Sequence, residues 1–199
     1  MGICGRLVSL SRIPVLGKGR NLLLKPASQR NKCDRMADVH LVFSYGTLKS
    51  GEPNFAVMNN PKTGKSTFVG VGETVKRYPL VVASQYAVPF LLLVEGKGEN
   101  VQGEIYEVDD SKLASLDELE CHPDFYHREI TQIAMHEDNK GNKLNPPEIR
   151  ECWVYFLPRY KPEMIDLPYL KNYTSISKDH PPYVERYKRE GPLQELILP

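Results

Sequence analysis

Phe43-Ser44-Tyr45-Gly46-Thr47-Leu48-Lys49-Ser50-Gly51 reads as a strand that runs directly into a small loop punctuated by glycine. Val39, Leu41, Phe43 and Tyr45 alternate with His40, Val42 and Ser44, the two-residue period of a strand with one buried face. Gly46 removes a Cβ where the chain must turn, so the N–H groups that follow can converge on a carboxylate or carbonyl oxygen. Such a loop holds an anion without any charged side chain. Strand–glycine junctions are also ordinary turns with no ligand, so the loop alone decides nothing about function.

A second segment carries more chemistry. Leu113-Ala114-Ser115-Leu116-Asp117-Glu118-Leu119-Glu120 is followed by Cys121-His122-Pro123-Asp124-Phe125-Tyr126-His127-Arg128. Asp109 and Asp110 are N-cap candidates and Pro123 disfavours helix at His122, so a short helix is expected over 112–120. At about 100° per residue, Leu113, Leu116 and Leu119 share one apolar face. Glu120 falls inside that stripe, Glu118 points away, and Asp117 sits at the margin. A carboxylate on the buried side of a helix is costly unless it is paired or used. Two readings stand: a salt-bridged helix end with Arg128 or a lysine as partner, or a group that moves protons.

The remaining pattern is strand-rich. Strands are expected over 68–75, 80–83, 88–94, 101–108, 128–135 and 152–157, with proline or glycine at nearly every junction, and a further short helix over 54–58. The polar stretch 137–150 contains Asn139, Gly141, Asn145, Pro146 and Pro147 and reads as a hairpin excursion. Seven short strands with one or two helices make an α+β domain on a small curled sheet. There are no internal repeats. Thr63-Gly64-Lys65-Ser66-Thr67 ends like a phosphate-binding loop, but the position for its first glycine is Asn59 and no buried strand leads into it; a surface turn is expected.

Composition narrows the class. The chain has 199 residues, 41% of them hydrophobic, with no apolar run near the ~20 residues that span a bilayer. Residues 1–33 carry seven Lys and Arg and no acid; setting these aside leaves 19 basic against 25 acidic residues, about −6, a poor nucleic-acid binder. Residues 1–37 therefore read as a leader, 38–175 as the domain and 176–199 as a C-terminal tail. The leader reads as disordered in a cytoplasmic protein; its Arg, Ser and Leu content also fits mitochondrial import, and Gly2 with Cys4 fits lipidation, against which Arg6 counts. Cys4, Cys33, Cys121 and Cys152 form no C-x-x-C pair, and His122, His127 and His136 lack zinc spacing, so neither a disulfide framework nor a metal site is expected. Cys121 reads as a packing residue rather than a nucleophile.

Taken together, Tyr45-Gly46-Thr47-Leu48-Lys49, Tyr78-Pro79-Leu80-Val81-Val82, Val88-Pro89-Phe90-Leu91-Leu92, Gly103-Glu104-Ile105-Tyr106-Glu107-Val108-Asp109, Leu116-Asp117 through Glu120 with Tyr126 and Arg128, and Leu167-Pro168-Tyr169 are specific in order and spacing. They resemble the γ-glutamylcyclotransferase superfamily (AIG2-like), and within it the γ-glutamylamine cyclotransferases. The resemblance implies a small, mostly antiparallel β-barrel flanked by short helices. It implies a cofactor-independent lyase that releases 5-oxoproline and a free amine, such as lysine from γ-glutamyl-ε-lysine. It gives Glu120 the general base/acid role and the backbone of Tyr45, Gly46, Thr47 and Leu48 the substrate. Tyr126 and Arg128 are further site candidates, as orienting and charge-balancing groups. Alternatives within the resemblance are a cyclotransferase for γ-glutamyl amino acids or glutathione, and a non-catalytic binding module. The expected partner is a small γ-glutamyl molecule, with no nucleic acid and no membrane span. The tail after Tyr173 lacks the glycines of the nearest relatives, which bears on specificity if it lines the leaving-amine pocket.

Overall fold

A computed structural model of the chain describes residues 39–199; the leader reading falls outside the described residues. Five strands close a barrel in the order β1 (Val39–Ser44), β5 (Gln102–Asp109), β2 (Ser66–Thr74), β6 (His127–Asp138) and β7 (Lys143–Phe156). Neighbours run antiparallel, except that β1 meets β7 in parallel at Val42 and Trp153, which removes the open edge. A two-stranded ribbon of β3 (Leu80–Ala83) and β4 (Val88–Leu91) lies apart from this sheet. Short helices α1 (Phe55–Met58), α2 (Asp110–Leu119) and α3 (Leu193–Ile197) complete the element list with three 3-10 turns. No helix among the described residues is long and apolar enough to cross a membrane.

Two apolar clusters share the interior. One gathers Phe43, Ile105, Ile133, Val154 and Phe156, and the other Val42, Phe90, Tyr106, Leu116 and Tyr126. Adjacent residues of β1, Val42 and Phe43, thus serve different clusters, as strand alternation requires.

Three local features differ from the sequence reading. The stretch 137–150 is the expected hairpin, but its strands reach further than read: β6 continues to Asp138 and β7 starts at Lys143, joined by a tight turn in which Asp138 Oδ1 accepts from the N–H groups of Lys140 and Asn142, with Gly141 at φ +82°. The two strands pair at Glu137 and Lys143 and again from Met135 and Glu148, with 144–147 bulged between, and these polar residues gave no strand pattern. Residues 176–199, read as a tail, pack on the barrel: Ile197 is buried in the second cluster, its carbonyl accepts from Lys161 N at 2.8 Å, and Val184 N donates to Tyr86 O at 2.9 Å. The third feature is Lys112, on the expected apolar helix yet fully buried.

Helix α2 is held from both ends. Asp109 caps its start, accepting from Lys112 N at 2.8 Å and from Lys65 N at 2.9 Å. The Gly64-Lys65 turn that imitates a nucleotide loop is thereby part of this cap, and a Cβ at Gly64 would meet Asp109 Oδ1 at 2.3 Å. Lys112 Nζ donates to Val57 O, Asn60 O and Thr63 Oγ1 at 3.0, 2.8 and 2.8 Å, tying α2 to the loop after α1. Burial lowers the pKa of this ammonium, and Asp109 opposes the shift. Lys112→Met keeps the apolar stem but leaves these acceptors unpaired, so it is expected to cost about 2–3 kcal/mol, read as a lower urea midpoint at unchanged slope. An unchanged midpoint would show that these bonds contribute nothing net.

Candidate active site

Glu120 closes α2. Cys121 N donates to Glu118 O at 3.2 Å and His122 N to Asp117 O at 2.9 Å, the paired bonds of a Schellman helix end. Cys121 occupies the left-handed position of that motif with φ +51°, where glycine is usual. Pro123 alone would account for the stop from sequence; the hydrogen bonds add a built terminus that makes Glu120 the C-cap residue. Leu113 and Leu116 are buried and Leu119 is half-buried against the same cluster, so the apolar stripe is present as expected.

Glu120 and the glycine turn face one cavity of about 300 Å³, lined also by Tyr126, Tyr155 and Pro89. Tyr45, Gly46, Thr47 and Leu48 all contribute to its wall. The N–H groups of Gly46, Thr47 and Leu48 donate to no acceptor among the described residues, although Gly46 O and Thr47 O accept from Lys49 N and Asn54 N at 3.2 and 2.9 Å. Three polarised donors in a cavity wall without partners make an anion- or carbonyl-binding surface. Gly46 is needed for close approach: a Cβ there would stand 3.1 Å from Pro89 Cγ.

Arg128 is not brought to Glu120. Its Nε and Nη2 grip Asp117 Oδ1 and Oδ2 at 2.7 and 3.1 Å, and its guanidinium lies 4.3 Å from the Trp153 ring centre. Asp117 Oδ1 also accepts from Tyr155 OH at 2.7 Å, and Tyr155 O accepts from Tyr45 OH at 2.8 Å. Arg128 therefore stands behind the wall and holds it, outside the cavity lining. The ion-pair reading of Glu120 fails for the same reason: among the described residues its carboxylate has no salt-bridge partner, since Arg128 is spent on Asp117. Tyr126 does reach the cavity, with its hydroxyl 3.4 Å from Pro89 O. Cys121 is half-buried and outside the lining, and burial pushes the Cys152 thiol up to about 12.

Burial pushes the Glu120 carboxyl from 4.5 up to about 7, with Arg186 pulling modestly the other way. Tyr45, Tyr126 and Tyr155 are raised chiefly by burial, with the Glu120 charge adding to each, so all three phenols stay protonated donors. Sequence reasoning missed Tyr155 and Asn54. It raised the tail after Tyr173 as a possible wall of the leaving-amine pocket, and the segment does enter the lining, through Tyr183, Arg186, Arg189 and residues 191–194, none of which the polar, proline-broken sequence singled out.

A closed small barrel thus presents one carboxyl without a salt bridge and a row of main-chain amides in a common cavity. The family model described as gamma-glutamyl cyclotransferase, AIG2-like, matches residues 42–175, and the chain belongs to that family. The rat gamma-glutamylaminecyclotransferase is 44% identical over 135 residues, covering 67% of this chain and 89% of the rat protein. The human protein of that name is 38% identical over 137 residues, covering 68% and 90% respectively. The crystal structure of a mouse AIG2-like protein superposes with a TM-score of 0.70 at 39% identity, covering 76% of this chain and 99% of the mouse chain. The family match contains the glycine turn and Glu120, and it ends before Tyr183.

A raised carboxyl pKa has a stability consequence. The native state keeps the Glu120 proton to a higher pH than the unfolded chain, so stability from the neutral form is fully present below about pH 4.5 and is lost as pH rises through about 7. Glu120→Gln removes that loss: its melting temperature is expected to exceed the parent's by more at pH 8 than at pH 5. A difference independent of pH would contradict the displaced titration.

Proposed function

We propose that this chain is a γ-glutamylamine cyclotransferase, on the strength of one observation: the unpaired Glu120 carboxyl and the open amides of Gly46, Thr47 and Leu48 line the same cavity. In a γ-glutamyl amide, the α-amine and the γ-carbonyl carbon can close a five-membered lactam. The nucleophile belongs to the substrate, and holding it folded supplies much of the rate through proximity.

The steps balance without water. The α-amine nitrogen forms a bond to the γ-carbon as Glu120 takes the proton that nitrogen must lose. The carbonyl oxygen becomes an oxyanion against the amides of the 45–48 turn. Glu120 then returns the proton to the departing nitrogen, the old C–N bond breaks, and 5-oxoproline and a free amine leave. A carboxyl with a pKa near 7 is suited to both transfers, being a stronger base than an ordinary glutamate and readily returned to its acid form at neutral pH. Tyr126 lines the cavity with Glu120 as a neutral phenol, and Arg128 positions Tyr155, whose hydroxyl donates to Asp117.

The deciding assay follows 5-oxoproline from γ-glutamyl-ε-lysine, γ-glutamyl-alanine and glutathione with the purified full chain. Turnover of the first is expected, with kcat/KM rising as pH passes through about 7 and Glu120→Gln lowering kcat by about 10²–10⁴-fold at little change in KM. Activity confined to the other two would assign a different γ-glutamyl substrate, and silence on all three would leave a binding protein.

A further inference from the structure

The cavity has a second charged wall that the mechanism does not use. Its charged lining residues are Glu120, Arg186 and Arg189, and both arginines come from the C-terminal segment. The ion pairs among the described residues include neither arginine. Arg186 Nη2 donates to Leu119 O at 3.3 Å, and Arg189 Nε and Nη2 donate to Val184 O and Tyr183 OH at 3.0 and 2.8 Å. These bonds fix each guanidinium while leaving other N–H donors of its fork unclaimed. The Arg189 guanidinium also rests on the rings of Tyr183 and Tyr86, with centroids at 5.1 and 5.7 Å, so its position is set before any ligand arrives.

Tyr183 adds an independent observation. Its hydroxyl oxygen accepts from Arg189 Nη2 and from Asn54 Nδ2, the latter at 3.0 Å, which occupies both lone pairs. Its own proton then has no acceptor among the described residues, and Tyr183 lines the cavity. A hydroxyl donor and two guanidiniums that form no salt bridge among the described residues, gathered on one wall, match the oxygens of a carboxylate, although the Arg186 charge also reaches Glu120 across the cavity. Asn54 Nδ2 also donates to Thr47 Oγ1 at 2.9 Å, so this wall is hydrogen-bonded to the glycine turn.

The geometry points to Arg186, Arg189 and Tyr183 as a subsite for a carboxylate on the leaving amine, so that this chain selects γ-glutamyl amides whose departing amine is anionic at its far end over those that are neutral or cationic there. The inference rests on the cyclotransferase reading above. The glutamyl half is common to all such substrates, and its proposed binders, the 45–48 turn and Glu120, fall within the family match over 42–175. The three subsite residues lie beyond that match, as befits the half of the substrate that varies.

The test uses the full chain and two γ-glutamyl amides of equal length, one of 6-aminohexanoate and one of hexylamine, each followed by 5-oxoproline release. The parent is expected to favour the 6-aminohexanoate amide. Arg186→Gln combined with Arg189→Gln is expected to lower the ratio of the two kcat/KM values by about 10- to 100-fold, through KM for the anionic substrate. Tyr183→Phe keeps the ring and is expected to lower the same ratio by about threefold to tenfold, which serves if the double variant melts early. An unchanged ratio overturns the subsite, including the case of equal losses on both amides, where the arginines serve the glutamyl half or the fold. Parent turnover with no preference for the carboxylate overturns the subsite alone. Parent silence on both amides overturns it together with the cyclotransferase reading.

Discussion

Burying a carboxyl without a salt bridge leaves it two ways to exist: neutral, or charged at a cost that a ligand must offset. Glu120, which forms no salt bridge among the described residues although Arg186 lines the same cavity, is in that position, and much of the surrounding structure maintains it. The Schellman bonds at Cys121 and His122 stop α2 so that residue 120 is the last turn's cap rather than a solvent-facing helix residue. The nearby cation that could have quenched it, Arg128, is committed to Asp117 through two bonds and to the face of Trp153. Asp117 in turn orders Tyr155, whose carbonyl holds the Tyr45 hydroxyl. An ion pair set behind the wall thus keeps the wall rigid while the carboxyl in front remains free to titrate.

The cavity is assembled from two kinds of structure. Its barrel side is made of strand ends and the cap of a well-anchored helix, places where backbone position is fixed by ladders and buried side chains. Its other side is the C-terminal segment, which has little regular structure and is held at discrete points: Ile197 in the core, Val184 on Tyr86, and Asn54 on Tyr183. Burying one Ile side chain is worth about 1.5–3 kcal/mol before ordering costs, so this side is the more easily altered of the two. Rigid chemistry beside a modifiable wall is a sensible division for a site in which one half of the substrate is constant.

The positions of the strands were legible from apolar runs bounded by glycine and proline: 39–44 and 80–83 are strands as expected, and Leu113, Leu116 and Leu119 announced the helix that presents Glu120. The single buried face expected of β1 is not found: Val39 is exposed, while Val42, Phe43 and Ser44 are all buried, because both sides of the strand's end pack into the interior. The Glu120–turn pairing was legible through a carboxylate in an apolar stripe and a glycine after a strand. What escaped was anything decided by distant contacts. Lys112 looks like a surface lysine until Val57, Asn60 and Thr63 converge on its ammonium. The strand at 143–151 is polar and bulged over 144–147, so neither alternation nor an unbroken ladder marks it. That Arg128 pairs with Asp117 and not with Glu120 was not legible, because sequence spacing does not say which acid stands across a strand. Tyr183, Arg186 and Arg189 sit in a segment with no periodicity, so only the folded chain brings them to the cavity.

The central claim is that burial holds the Glu120 carboxyl near neutrality although the Arg186 charge opposes the shift. A ¹³C carboxyl titration of glutamate-labelled protein, with Glu120→Gln used to assign the resonance, measures this directly. The account predicts a midpoint near 7 for that one signal. A midpoint in the ordinary glutamate range, near 4.5, would show a solvated or paired carboxylate and would contradict it.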